Sequence, residues 1–174
     1  MNLPKNKGKL PKTCDTIKKI SRSFLRAEGS LRIFWYTGEK GQGGQMMSVK
    51  NRMEKFKQYG ESLPQAKVYF RQDWGVYYFD IMGKMFGMMS PEQTEKAIIT
   101  LKNDPAKNEE LRELYPDVII PGYYANKKHW NSIYLASPLL TEDEICNMIA
   151  ASYQLVVCKL PKKLQAQITK EDKK

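Results

Sequence analysis

Val118 to Pro161 reads VIIPGYYANKKHWNSIYLASPLLTEDEICNMIAASYQLVVCKLP, and strand and helix signals meet in it. Val118 to Ile120 and Ser132 to Leu135 are short runs of β-branched and other apolar residues, which predicts two strands flanking a loop. In Thr141-Glu142-Asp143-Glu144 a Thr is followed three positions later by Glu, a capping box that opens a helix. Ile145, Met148, Ile149, Ser152 and Val156 then fall on one helical face, and Pro161 is the expected stop. The loop before the second strand runs Pro121-Gly122-Tyr123-Tyr124-Ala125-Asn126-Lys127-Lys128-His129-Trp130. It gathers two Tyr, one Asn, two Lys, the single His and one Trp within eight positions. Aromatic faces can stack on bases, and ammonium groups can sit on phosphates.

Upstream, Lys67 to Arg71, Val76 to Ile81, Lys84 to Met88 and Ala97 to Leu101 read as further strands, with Met82-Gly83 as a tight turn. Ser48 is expected to cap a helix running to Tyr59, with Gly60 as its stop. Ser90-Pro91-Glu92-Gln93 has the form of a capping box with Pro at the first helical position, which predicts a short helical turn. Asp104 is expected to cap a helix reaching Tyr115. Strands grouped between terminal helices define an α+β class with an antiparallel sheet.

At 174 residues, 41% apolar and 11% aromatic, the chain can bury a normal core. The longest uncharged stretch, Ile145 to Cys158, is too short to span a bilayer, and Asn147 and Gln154 interrupt it. The N-terminus has no apolar signal-peptide core. No membrane insertion and a cytoplasmic location are expected. Cys14, Cys146 and Cys158 are odd in number and widely spaced, which excludes a disulfide framework.

The net charge of +10 is unevenly spread. Residues 1–45 hold ten Lys or Arg against three Asp or Glu, and residues 46–174 hold nineteen against sixteen. Three segments follow: a basic, poorly ordered extension over 1–45, a folded domain over 46–163, and a charged tail over 164–174. Within the extension, Thr16 to Arg26 is at most a marginal basic helix, and Gly38 to Gln45 reads as a linker. It is no phosphate loop, because Gly44 stands where that pattern needs Lys. Gly43-Gly44-Gln45-Met46-Met47 is what a ribosome-binding site would read as if translated. The expectation is that translation starts at Met46 or Met47. The competing reading is a real basic arm with non-specific DNA affinity.

Catalytic chemistry finds little support. His129 has no second imidazole, and Cys146 and Cys158 lie among apolar neighbours, as inert buried thiols do. Asp143 and Glu144 are explained as first-turn helix charges. No cluster has metal-ligand spacing. The expectation is a non-enzyme with no cofactor. Trp130 opens the apolar alternation of its strand and reads as core. Ser152 puts a hydroxyl on a buried helix face, where it either back-bonds to the carbonyl of Met148 or ties down the loop at Asn126 or His129.

These residues resemble the MmcQ/YjbR family over about Ser48 to Lys163. The matching features are Leu63-Pro64, Trp74-Gly75, Gly83-Lys84-Met85-Phe86, Leu101-Lys102-Asn103-Asp104-Pro105 and Tyr115-Pro116. Next comes the Pro121-Gly122 to Trp130 loop, and last Ser152-Tyr153 and Lys159-Leu160-Pro161. The chain departs from the family at Tyr124, where a His is usual. The resemblance implies a CyaY-like, two-layer α+β fold with N- and C-terminal helices, and membership of a family described as predicted DNA-binding proteins. The fold is also similar to frataxin, but without a dense acidic helix no iron binding is carried over.

The expected function is nucleic-acid binding, with duplex DNA as partner. Lys84, Lys127, Lys128, Lys159 and Lys162 are the expected phosphate contacts, Asn126 and His129 the polar contacts, and Trp130 and Ser152 the structural supports. The alternative is a non-catalytic module that binds a small molecule or a protein in the same groove.

Overall fold

A computed structural model describes residues 47–171. The expectations for 1–45 lie outside the described residues. The order is α1 (Val49–Ser62), β1 (Ala66–Arg71), β2 (Val76–Ile81), β3 (Lys84–Met89), β4 (Ile98–Lys102) and α2 (Pro105–Leu114). Then follow β5 (Ile119–Pro121), β6 (Trp130–Tyr134), α3 (Glu142–Val157) and α4 (Lys162–Glu171). The strands form one six-stranded sheet in the order β1-β2-β3-β4-β6-β5, with every neighbour pair antiparallel.

The register fixes the faces of the sheet, because directly paired residues point the same way. Val68 pairs with Phe79, Phe79 with Gly87, and Gly87 with Leu101. Gly60 of α1 lies against Phe79 and Val68. Met148 of α3 and Leu111 of α2 share a crevice with Leu101 and Ile133. Helices α1, α2 and α3 therefore cover one face, and the core fills the space between: Phe56, Phe79, Phe86, Ile99, Leu135, Ile145 and Ile149 are fully buried. This is the two-layer α+β arrangement read from the sequence. The opposite face carries the row Tyr69, Tyr78, Met88, Thr100, Ser132 and Ile120.

Ser48, Asp104 and Thr141 cap their helices as expected, the last with a complete capping box. Several local expectations are corrected. Gly60 does not stop α1 but lies inside it, buried, where a Cβ would come within 2.7 Å of the Phe79 ring. Close approach of helix to sheet, not chain reversal, requires this glycine. Ser90 starts no helical turn. Its hydroxyl accepts from the Ile98 N–H at 2.8 Å and extends the β3–β4 ladder by one rung. The long helix stops at Val157, ahead of Pro161. Part of the segment expected as a tail forms α4, whose Ile168 is buried in the core.

Arg52 of α1 has no sequence context that announces it. It is 1% exposed, and it donates to the carbonyls of Leu135 and Ser137, both at 2.7 Å, and to that of Leu140. Its Nε also lies 3.0 Å from Glu142 Oε1. One buried guanidinium thus ties α1 to the β6–α3 connection.

Candidate nucleic-acid interface

The pairing places several of the expected residues at one end of the sheet. Gly87 lies opposite Leu101, and Lys102 lies opposite Trp130. Lys84 at the start of β3, Lys102 at the end of β4, and the 122–129 loop leading into β6 therefore share that end. The C-terminal half of α3 reaches it too, because Ser152 bonds to Phe86 and Lys102. Lys159 follows just beyond that helix.

The loop is shaped by its own backbone and braced from behind. The N–H groups of His129 and Trp130 both donate to the Asn126 carbonyl, at 3.0 and 3.1 Å. Asn126 Oδ1 accepts from the Lys128 N–H at 3.0 Å, so this side chain supports the turn. Gly122 donates to the Trp130 carbonyl at 2.8 Å, and a Cβ on it would sit 2.7 Å from Trp130 Cβ. The Tyr123 N–H donates to Ser132 Oγ at 2.9 Å, which draws the loop onto the face opposite α1, α2 and α3.

The braces come from α2. Arg112 donates to the Lys127 carbonyl at 2.6 Å and to Asn131 Oδ1 at 2.8 Å. Asn108 donates to the Lys128 carbonyl at 3.2 Å, and Asn131 donates back to the Asn108 carbonyl at 3.1 Å. The Asn103 N–H donates to the His129 carbonyl at 2.9 Å. With their carbonyls held from behind, Lys127 and Lys128 keep exposed side chains. Tyr123 is 52% exposed and Tyr124 88% exposed, and their rings lie 4.3 Å apart. Tyr124 adopts φ 58°, a left-handed conformation unusual for a bulky residue.

Lys84, Lys127, Lys128, Lys159 and Lys162 are all exposed, and His129 is half-buried. Among the described residues none of these five lysines has an ion pair, whereas Arg52, Lys55, Lys57, Arg71 and Lys107 each have one. Trp130 is buried, as the strand alternation implies. Ser152 overturns both sequence readings. Its hydroxyl donates to the Phe86 carbonyl and accepts from the Lys102 N–H at 2.8 Å, filling the gap where the β3–β4 ladder opens. Cys146 is buried, and burial pushes its thiol up.

Sequence reasoning missed Lys102, Asn108 and Arg112. Lys102 had a signal, since it lies inside the quoted Leu101-to-Pro105 motif. The two braces lie on a helix whose contacts depend on tertiary packing. A crevice beside them is lined by Asn103, Asn108, Asn131 and Met148, among others, and the Asn108 Oδ1 atom is buried with no hydrogen-bond partner among the described residues.

Residues 61–155 match the model of the YjbR family. The chain is 40% identical over 90 residues to the uncharacterized protein YbdF of Escherichia coli O157:H7, covering 52% of this chain and 71% of that one. It is 32% identical over 104 residues to the uncharacterized protein YjbR of Escherichia coli K12, covering 60% and 86%. Among solved structures, the Deinococcus radiodurans protein DR2400, with a DUF419 domain, aligns with a TM-score of 0.60 at 26% identity over 71% of this chain and 89% of that one. A Pseudomonas syringae protein shares the fold at a TM-score of 0.50 and 24% identity, over 59% and 96%. The chain belongs to the YjbR family. Among the described residues no helix is long and apolar enough to cross a membrane.

Proposed function

We propose that this protein is a non-catalytic cytoplasmic binder of nucleic acid that holds duplex DNA by its phosphates at the lysine-bearing end of the sheet. The observation that carries the reading is the 122–129 loop. It presents a Tyr124 ring 88% exposed, at φ 58°, beside Lys127 and Lys128. Holding a large aromatic in that backbone conformation costs about 1–3 kcal/mol, and such strain concentrates at ligand-binding positions. Exposed rings next to unpaired cations suit stacking on a nucleotide while the ammoniums meet phosphates. Lys84, Lys159 and Lys162 extend the cationic surface, and His129 adds a polar contact. Asn126 acts here through the shape of the turn.

The alternative is a non-catalytic module that binds a small molecule or a protein in the same groove, but the crevice beside Asn108 has room for little more than a water. Salt dependence separates the two. For Lys127→Ala with Lys128→Ala in the full chain, duplex binding is expected to weaken. Its log–log salt slope is expected to fall by about one for each phosphate that no longer meets an ammonium. An unchanged slope rejects the loop as the surface that meets DNA.

A further inference from the structure

Tyr123 and Tyr124 stand side by side, 52% and 88% exposed, with ring centroids 4.3 Å apart and planes inclined by 68°. Tyr69 and Phe70 are also adjacent and exposed, but each leans on a ring of the next strand, Tyr78 and Tyr77. Two rings stacked flat would hide a face of each. Rings inclined by 68° form a corner instead, a floor and a side wall for a flat ligand. The corner stands on fixed backbone. On one side Gly122 donates to the Trp130 carbonyl at 2.8 Å, and on the other the Asn126 carbonyl accepts from the His129 and Trp130 N–H groups. Between them the Tyr123 N–H donates to Ser132 Oγ at 2.9 Å, and Ser132 Oγ shares a second hydrogen bond with Thr100 Oγ1 at 2.7 Å. The loop is thereby anchored to β6 and, through Thr100, to β4, with Tyr124 held at φ 58°.

Only three residues carry the chain from Tyr124 to Lys127, so their Cα atoms lie within about 11 Å of each other. That is about three base steps along a DNA strand. A base on the rings and phosphates on Lys127 and Lys128 then belong to one short stretch of strand. In an intact duplex such a base has no free face. Its stacked neighbours cover both sides, and freeing it costs unstacking and unpairing energy. That cost is least where the base is already single-stranded. We infer that the Tyr123–Tyr124 corner is a seat for one unstacked nucleobase, and that the ligand of this end of the sheet is duplex DNA that runs out into an unpaired strand. This ligand class rests on the function proposed above, in which the lysines hold the phosphates.

The test titrates the full chain, at one fixed salt concentration, with two DNA probes and reads affinity by fluorescence anisotropy. One probe is a blunt duplex of about two helical turns. The other is the same duplex with an overhang of about four nucleotides at one end. The overhang probe is expected to bind about tenfold more tightly, which is what one stacked base contributes. Tyr124→Gly suits the left-handed backbone and removes the ring, and it is expected to erase that difference. Tyr124→Phe keeps the ring and is expected to keep the difference. Because Tyr124 is 88% exposed, neither variant puts the fold at stake. Equal binding of the two probes by the parent, or an overhang preference that survives Tyr124→Gly, overturns the seat and leaves the nucleic-acid reading in place. A loss of equal factor on both probes in Tyr124→Gly overturns it too, because the ring then acts on the intact duplex. If neither probe binds, the nucleic-acid reading and the seat fall together.

Discussion

Gly60 and Ser152 are two small residues whose roles escape a local reading for the same reason: each is defined by what crosses it. For Gly60, a Cβ would meet the Phe79 ring at 2.7 Å and Val68 at 2.9 Å. Gly60→Ala gains about 1 kcal/mol of helix propensity and loses about 1–3 kcal/mol to overpacking, so a net loss in denaturant unfolding is expected. A variant as stable as the parent would mean that Phe79 has room to move. Ser152 satisfies two backbone groups on two strands. Ser152→Ala leaves the Lys102 N–H and the Phe86 carbonyl unpaired in a buried place, which should cost about 1–3 kcal/mol. Amide exchange at Lys102 is expected to quicken. Unchanged exchange there would show that the hydroxyl contributes nothing to the ladder. A buried hydroxyl was legible in the apolar periodicity of α3, but its partners lie 50 and 66 residues away, and periodicity carries no information about them.

At the scale of elements, α2 serves as the splint of the loop. Arg112 and Asn108 hold the carbonyls of Lys127 and Lys128 from behind, and Asn131 closes the network onto β6. Arg112→Met keeps the stem and removes the donors. Amides of residues 123–129 should then exchange faster, duplex affinity should fall, and the melting temperature should drop only modestly, because Arg112 is half-buried at the surface. Normal exchange in the loop would assign its shape to Asn126 and Gly122 alone. The strands and caps were legible because they are local: runs of apolar and aromatic residues marked β1 to β4, and Ser48, Asp104 and Thr141 announced their helices. Ser90 shows the limit. Its capping-box form is satisfied equally well by a strand rung, and only the position of Ile98 decides between them. The helix α4 was hidden by its charge, since one buried Ile168 is a weak apolar signal in a run of Lys and Gln.

Over the whole domain, charge is sorted along the strand direction. Lys84, Lys102, Lys127, Lys128 and Lys159 gather where β3 begins, β4 ends and α3 finishes. Glu142, Asp143 and Glu144 form the first turn of α3 at its other terminus, two of them paired with Arg52 and Lys55. Composition alone shows nineteen cations against sixteen anions in residues 46–174, a balance that hides this polarity. The loop was legible as a candidate because its aromatics and cations are neighbours in sequence. Lys102 had only its place in the Leu101-to-Pro105 motif to mark it, because the register, not the sequence spacing, brings it beside the loop. The central claim is that one end of the sheet is the binding surface, and amide NMR of the full chain titrated with duplex DNA tests it most directly. The account predicts saturable shifts clustered at 83–85, 102–104, 122–130 and 157–163. Shifts confined to the opposite end, at 71–76, 91–97 and 136–144, would contradict it.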